Sequence, residues 1–298
     1  MKTRHLAALL TLGLCATTAF AEGTLDKIRA SGTVTLGHRD ASIPFSYLDD
    51  KQQPIGYAMD LCMKVVDAVK AELKLPALKV SYQPVTSATR IPLMANGTID
   101  LECGSTTNNA ERQKQVSYTM SHFITANRFV AKKADKLSKL EDLKGKTVVS
   151  TSGTTNIRQL TELNASRNLG INILAAKDHA EAFLMVDTGR AVAFVMDDIL
   201  LAGLVANHSN PGQFAISSDQ LSVEPYGIML RKDDPAFKKV VDDAMTQIYK
   251  SGQLAAIYDK WFMAAIPPRG IKLNIPMGDA MKKVMNAPTD SADPAMYR

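Results

Sequence analysis

Cysteines and metal-binding motifs are scarce in this chain of 298 residues. It has three cysteines, no CxxC pair, no HExxH motif and no clustered spacing of His and Cys. Protein metal sites need several such ligands at short spacings, so the sequence gives no support for a metal or cofactor. Cys62 and Cys103 are the cysteines beyond the N-terminal segment. They allow one intramolecular disulfide, and two buried free thiols are the alternative.

Long apolar runs and basic runs are missing from most of the chain. After the N-terminal segment, no apolar stretch is long enough to cross a bilayer. The net charge of +5 becomes +3 without Lys2 and Arg4, and the remaining positive charge is scattered without interleaved aromatics. Nucleic-acid binding is therefore not expected. Hydrophobic residues make up 46% of the chain, which is enough for one large domain or two modest lobes.

The N-terminus has the pattern of a secretory signal peptide. A positive start precedes the apolar run 6–14 and the small-x-small cleavage pattern at 19–21. We therefore expect residues 1–21 to be removed and the rest of the chain to be exported. Cys15 does not indicate a lipid anchor, because Leu14 stands where a small residue is expected.

Short apolar strands alternate with amphipathic helices along the chain. Residues 33–37, 79–82 and 99–103 are predicted strands of a first unit. Residues 146–149 and 191–196 are predicted strands of a second unit with the same plan. This alternation predicts an α/β protein whose parallel strands are covered by helices on both faces.

Two extended stretches, 123–132 and 221–230, lie between the predicted units. Two extended crossings between two lobes are typical of a hinge. We expect lobe 1 to be discontinuous, with residues 22–125 and 223–298, and lobe 2 to comprise residues 126–222. The tail after Pro267-Pro268 is expected to wrap the surface loosely.

Charged and hydroxyl side chains collect where the predicted strands end, the edge at which open parallel sheets bind ligands. This set comprises Arg39, Ser87, Arg90, Ser105, Thr107, Arg112, Thr155, His179 and Asp197. A carboxylate is bound well by guanidinium groups, and an ammonium by a carboxylate with hydroxyls. Surplus arginines in a closed cleft need a further anion. The set therefore predicts a small zwitterion that carries an extra carboxylate.

Each of these residues also has an ordinary structural explanation. Arginines near strand ends often form structural ion pairs, Asp197-Asp198 could cap a helix, and a single histidine is more often structural. The stretch ECGSTTNNAERQ, residues 102–113, contains Asn108 and Glu111 at the spacing of a capping box. The coincidence of so many polar groups at equivalent strand ends favours a binding site.

Longer motifs resemble the bacterial periplasmic amino-acid-binding proteins of ABC importers, and among them the glutamate/aspartate binders. The stretches that carry the resemblance are GHRDASIPFSY (37–47), TSATRIPLMANGTIDLECGSTTNNAERQKQ (86–115), LKGKTVVSTSGTT (143–155), AAKDHAEAF (175–183), GRAVAFVMDDILLAG (189–203), YGIMLRKDDPAFKK (226–239) and KWFMAAIPP (260–268). Ile228 and Cys62 depart from the family pattern, which leaves the pairing of Cys62 with Cys103 open.

The resemblance implies a two-lobed periplasmic-binding-protein type II fold, with the ligand cleft between lobes joined by two extended hinge segments. It implies a monomeric periplasmic protein without a cofactor, which captures L-glutamate or L-aspartate and delivers it to the membrane permease of an ABC importer. It assigns the α-carboxylate to Arg112 and Thr155, the α-amino group to Asp197, Ser105 and Thr107, and the side-chain carboxylate to Arg39, Ser87, Arg90 and His179.

Two alternatives use the same fold. One is an exported enzyme similar to cyclohexadienyl dehydratase, and the other is a sensor module that presents its ligand to a receptor. The sequence shows no obvious pair of a catalytic base and the group that orients it, so a binding protein is favoured over an enzyme.

Overall fold

The computed structural model describes residues 23–298, and the expected signal peptide, 1–21, lies outside them. Two main sheets with helices packed on them confirm the predicted α/β class. Within the described part of the chain, no helix is both long enough and apolar enough to span a bilayer.

The helices occur throughout the chain and mostly separate consecutive strands. They are α1 (Thr24–Ser31), α2 (Tyr57–Leu73), α3 (Arg90–Ala95), α4 (Ala110–Gln113), α5 (Thr155–Ser166), α6 (His179–Asp187), α7 (Asp198–Asn207), α8 (Pro235–Lys250), α9 (Gln253–Tyr258) and α10 (Asp279–Asn286). A π-helical turn, Asp259–Met263, directly follows α9.

The strands form two large sheets and two small ones. They are β1 (Thr33–His38), β2 (Ala41–Ser42), β3 (Ser46–Leu48), β4 (Pro54–Ile55), β5 (Lys79–Pro84), β6 (Leu101–Glu102), β7 (Val116–Tyr118), β8 (Phe123–Lys132), β9 (Thr147–Thr151), β10 (Asn172–Ala176), β11 (Ala193–Asp197), β12 (Phe214–Ile216), β13 (Ser222–Tyr226), β14 (Met229–Arg231), β15 (Ala265–Ile266) and β16 (Ile271–Lys272).

The first large sheet has the order β5-β1-β6-β14-β7. Its strands β5, β1 and β6 are parallel, whereas β14 is antiparallel to both β6 and β7. Helix α2 covers this sheet with the apolar stripe that its sequence predicts, and Leu61, Val65, Val66 and Val69 are all fully buried. The carboxyl ends of β1 and β6 consequently lie side by side and carry Arg39 and the 102–113 stretch to the same edge.

The second large sheet has the order β10-β9-β11-β8-β12, and β13 pairs with the other half of β8. Strands β10, β9 and β11 are parallel, as predicted. Strand β8, which the sequence analysis assigned to a crossing between the units, also joins this sheet and runs antiparallel to β11. β8 reaches the second sheet directly from the first sheet, without a covering helix between them. It can therefore pair with β11 in the antiparallel direction.

The two extended crossings are β8 and β13, which form one antiparallel ladder from Phe123↔Tyr226 to Asn127↔Ser222. β8 leads from the first sheet to the second, and β13 leads back to β14. The lobe boundaries proposed near residues 125 and 223 fall within this ladder. Residues Phe123, Ile124 and Thr125 of β8 pair with residues beyond 223, so the paired backbone itself connects the two lobes.

The C-terminal tail is packed more tightly than expected. Asn108 Nδ2 donates a hydrogen bond of 2.8 Å to the Asp290 carbonyl, and the Ser121 amide donates one of 2.8 Å to the Thr289 carbonyl. Tyr297 is only 1% exposed and its hydroxyl lies 3.0 Å from Ser121 Oγ. Tail residues beyond Pro267 therefore belong to the packed structure and contact the crossings β8 and β13 and the loops at Asn108 and Ser121.

A disulfide joins α2 to the end of β6. Cys62 and Cys103 are both fully buried, and their sulfur atoms are 2.11 Å apart. The bond closes a loop with a sequence separation of 41, and so holds the strand end that leads to the 102–113 corner against the covering helix.

We expect loss of this disulfide to destabilise the protein strongly. A cross-link of this loop length stabilises a fold by about 3–4 kcal/mol, mainly by restricting the unfolded chain. The C62A/C103A double variant should therefore lose about that free energy of unfolding, measured by urea denaturation. Adding reductant should lower wild-type stability by a similar amount and leave the double variant unchanged. Two titratable thiols in the non-reduced wild-type protein would contradict the bond.

Candidate functional site

The corner after β6 places an arginine at the start of a short helix. Asn109 caps α4, and its Oδ1 accepts a hydrogen bond of 2.9 Å from the Arg112 amide. The predicted capping box of Asn108 and Glu111 is wrong, since the cap lies one residue later. The side chain of Asn108 instead holds the tail at Asp290, and Glu111 pairs with the exposed Lys114, the residue that directly follows α4. The cap fixes the backbone from which the Arg112 side chain extends.

Arg112 connects the two sheets. Its Nη1 donates to the Thr107 carbonyl at 2.9 Å, and its Nη2 donates to the Gly153 carbonyl at 3.3 Å across the cleft. Burial lowers the pKa of Arg112 to about 10. A Cβ added at Gly153, whose φ is +75°, would lie 2.6 Å from Ala88 Cα, so only glycine permits this close approach. The two halves of the chain therefore meet here in a closed arrangement.

Arg90 is the second buried guanidinium, and a carboxylate that the sequence analysis missed lies beside it. Arg90 Nη1 donates to Thr106 Oγ1, and the Thr106 hydroxyl donates to Glu102 Oε2 at 2.6 Å. Arg90 Nη1 is 3.9 Å from Glu102 Oε1. Burial lowers the pKa of Arg90, and the charge of Glu102 opposes this shift. Glu102 thus offsets part of the positive charge in the cleft.

Arg39 and His179 meet across the cleft. Arg39 Nη2 lies 3.4 Å from His179 Nε2, and Thr151 Oγ1 lies 2.8 Å from His179 Nδ1. Because a guanidinium can only donate, Nε2 accepts and the ring proton is on Nδ1, which donates to Thr151. Burial, together with the charges of Arg39 and Arg90, lowers the pKa of His179 well below its ordinary value. In this arrangement the neutral imidazole orients Arg39.

Several polar groups in the cleft are buried without a hydrogen-bond partner anywhere in residues 23–298. They are the donors Arg39 Nη1, Arg90 Nε, Ser87 Oγ and Ser105 Oγ, together with one carboxylate acceptor, Glu102 Oε1. The two arginine atoms can only donate, and the hydroxyls can donate as well. Buried donors are rarely left unmatched, because each costs about 1–3 kcal/mol. Their convergence indicates a site for an anionic group with several acceptor oxygens.

Carboxylates occupy the other end of the cleft. Asp197 Oδ1 accepts a hydrogen bond of 2.7 Å from Asn156 Nδ2, and Asp197 Oδ2 accepts one from the Tyr226 hydroxyl. Thr155 Oγ1 donates to Glu224 Oε2 at 3.1 Å. Burial, followed by the negative charge of Glu224, raises the pKa of Asp197 to about 7. This end of the cleft suits a cation, because an adjacent positive charge favours the ionised carboxylates.

The structure brings the nine predicted residues into one cluster. Seven of them line a cavity of about 10 Å³, namely Ser87, Arg90, Ser105, Thr107, Thr155, His179 and Asp197. Arg39 and Arg112 join the cluster through the contacts with His179 and Thr107 given above. That cavity has about the volume needed for one water molecule, far below the roughly 300–1,000 Å³ of pockets for drug-sized ligands, so the cleft is closed around the cluster. No group of acidic, His or Cys residues within 23–298 could hold a metal ion.

Other members of the cluster were missed by the sequence analysis. They are Glu102, Thr106, Thr151, Asn156, Glu224 and Tyr226. Glu102, Thr106, Thr151 and Tyr226 lie in stretches that carry the family resemblance, Glu224 lies in the predicted return crossing, and Asn156 directly follows the stretch 143–155. A larger cavity of about 950 Å³ lies between the crossings, α7 and the tail, but it contains none of the nine predicted residues.

Comparisons with known proteins agree with this geometry. Residues 34–264 match the family model for bacterial extracellular solute-binding proteins, family 3. The chain is 53% identical over 293 residues to the L-glutamate/L-aspartate-binding protein of Pseudomonas aeruginosa, covering 98% of this chain and 96% of the relative. It is 44% identical over 292 residues to the glutamate/aspartate import solute-binding protein of Escherichia coli, covering 96% and 97%.

The fold is also similar to solved structures. An ancestral arginine-binding protein bound to arginine superposes with a TM-score of 0.70 at 28% identity, covering 78% of this chain and 98% of that protein. ArgBP from T. maritima, solved as a mutant, superposes with a TM-score of 0.71 at 26% identity, covering 80% and 98%. These similarities confirm the predicted type II periplasmic-binding-protein fold.

The raised pKa of Asp197 predicts how the stability of the ligand-free protein depends on pH. The pKa is about 7 in the folded protein against an ordinary value of 3.8, so Asp197 contributes stability below pH 3.8 that is lost as pH rises towards 7. Between about pH 5 and 7, wild-type stability should fall more steeply with pH than that of D197N, by up to about 1.4 kcal/mol per unit. Urea unfolding measures both slopes. D243N, at an exposed position, should keep the wild-type slope, and equal slopes in D197N and wild type would contradict the assignment.

Proposed function

Because the chain belongs to the bacterial extracellular solute-binding proteins of family 3, we propose that it captures L-glutamate and L-aspartate and delivers them to the permease of an ABC importer. The two relatives described above carry glutamate and aspartate in their names and cover nearly the whole chain. Export through cleavage near residue 21, residence in the periplasm and action as a monomer are parts of the same proposal.

The observation that carries this proposal is the set of unmatched buried donors beside Arg39 and Arg90. A second carboxylate on the ligand would satisfy Arg39 Nη1, Arg90 Nε and Ser87 Oγ, which have no partner among the described residues. Bidentate contacts between guanidinium and carboxylate groups are among the strong hydrogen bonds of proteins. A neutral side chain such as that of glutamine would leave the positive charge of this end uncompensated.

The other ligand groups have matching partners. We propose that the α-carboxylate binds at Arg112 with Thr155, and that the α-ammonium binds at Asp197 with Ser105 and Thr107. The opposite charges of the two ends of the cleft support this orientation. Glutamate and aspartate differ by one methylene, a difference worth about 1–3 kcal/mol in a binding site, so one cleft can serve both.

Closure of the lobes on the ligand follows from where these groups reside. Arg39, Arg90 and Arg112 belong to the half of the chain that forms the first sheet, whereas His179 and Asp197 belong to the second. A ligand that contacts both sets stabilises the closed state by its differential affinity for that state. The paired crossings β8 and β13 are the proposed hinge, with residues 22–125 and 223–298 as lobe 1 and residues 126–222 as lobe 2.

We expect Arg90→Ala to weaken L-glutamate binding by at least about 30-fold, because truncating one partner of a buried charge pair costs about 2–5 kcal/mol. It should weaken L-glutamine binding far less, since glutamine has no second carboxylate. Calorimetric titration of ligand-stripped protein measures the dissociation constants of L-glutamate and L-glutamine. Arg29→Ala, which removes an arginine on the surface of α1, should leave both unchanged. Equal effects of R90A and R29A on glutamate binding would refute the assignment.

A further inference from the structure

Glu224 is a buried carboxylate near Asp197, in the part of the cleft proposed to bind the α-ammonium group of the ligand. No role has been given to it so far. It lies on the return crossing β13 and is 1% exposed. Its Oε2 accepts the hydroxyl of Thr155, a residue of the cavity wall, at 3.1 Å. Its Oε1 accepts Gln159 Nε2 at 2.7 Å and also the Ser222 hydroxyl. Glu224 is therefore one hydroxyl away from the space that the ligand would occupy.

A chain of amides connects Glu224 to Asp197. Asn127 Nδ2 donates to Gln159 Oε1 at 2.8 Å, and Gln159 in turn donates to Glu224. Asn156 Nδ2 donates both to Asn127 Oδ1 at 2.9 Å and to Asp197 Oδ1 at 2.7 Å. These amides are oriented so that an N–H points at each carboxylate. Neutral donors favour the ionised form of a carboxylate but leave its charge in place.

The charge of these two carboxylates is not cancelled by a direct partner. Among the ion pairs of residues 23–298, Glu102 is the carboxylate that meets an arginine of the cleft. The donors of Arg112 are directed at carbonyl groups, although its charge interacts with that of Glu224 from a longer distance. The negative charge of Glu224 raises the pKa of Asp197, so the two groups interact electrostatically. The ligand-ammonium end therefore carries two acidic groups, where one would be enough to bind a single ammonium.

We propose that Glu224 determines specificity by making an α-ammonium group obligatory in the ligand, so that dicarboxylates without an amine, such as glutarate, are rejected. Glutarate offers the same two carboxylates to the arginines, but it would place an uncharged methylene against Asp197 and Glu224, two buried carboxyl groups that need a cation beside them for both to be ionised. Glutamate brings the cation that compensates them. Rejection by an uncompensated charge is a common source of specificity in proteins.

Glu224 acts on the ligand's ammonium through its charge and through Asp197, while Thr155 contacts the α-carboxylate, so the test must separate specificity from structural damage. The inference rests on the proposed function, and L-glutamate and glutarate are therefore titrated in parallel into ligand-stripped wild type, E224Q, E224D and E162Q. Glu162 is an exposed residue on the same helix as Thr155. Wild type and E162Q should both prefer glutamate by at least about 100-fold.

In E224Q we expect glutamate binding to weaken by about tenfold and glutarate binding to strengthen, because the charge that attracts the ammonium also repels the bare dicarboxylate. E224D keeps the charge and should keep most of the preference. Damage to the fold would weaken both ligands together, and that result in a folded E224Q would overturn the inference. Wild type that binds glutarate within about tenfold of glutamate would also overturn it. Wild type that binds neither acid would refute the proposed function itself.

Discussion

Burial of three guanidinium groups in one cleft is the constraint on which the rest of this structure depends. Arg39, Arg90 and Arg112 are 3%, 2% and 7% exposed, so none is solvated as a surface arginine would be. Buried charges are tolerated only when they are paired or fully hydrogen-bonded. Glu102 compensates part of this charge through Thr106, and carbonyl groups take the donors of Arg112. Anionic groups of a ligand would complete the compensation, so we expect a ligand to stabilise the closed arrangement further.

The buried carboxylates at the other end of the cleft are also incompletely compensated, and they favour a positively charged group of the ligand. Asp197 and Glu224 are each held by neutral hydrogen-bond donors and form no ion pair with a cation within residues 23–298, although the charge of Arg112 interacts with that of Glu224. The cleft therefore separates charge along its length, positive near Arg39 and Arg90 and negative near Asp197. A zwitterion with a second carboxylate has the matching distribution. The hinge strands take part directly, because Tyr226 and Glu224 of β13 belong to the negative end.

Much of this arrangement follows from the sequence, because parallel strands direct their carboxyl ends to one edge and so bring distant residues together. Nine residues from separate segments could be assigned to one cluster on that ground. The residues that support these nine could not be predicted from the sequence. Glu224 and Asn156, for example, act through tertiary hydrogen bonds, which produce no periodic sequence pattern. The helix cap is Asn109 and not the predicted Asn108, whose side chain contacts the C-terminal tail. No local sequence pattern predicts that contact. The antiparallel direction of β8 likewise depends on how the chain crosses between sheets.

The measurement that tests the central claim most directly is a crystal structure of the ligand-stripped protein soaked or grown with L-glutamate. The buried arginines predict closed lobes, with the distal carboxylate within hydrogen-bond distance of Arg39 Nη1 and Arg90 Nε and the ammonium on Asp197. A glutamate whose distal carboxylate faces solvent, or one that leaves those two nitrogens without an acceptor, would contradict the claim that the arginine charge selects the ligand.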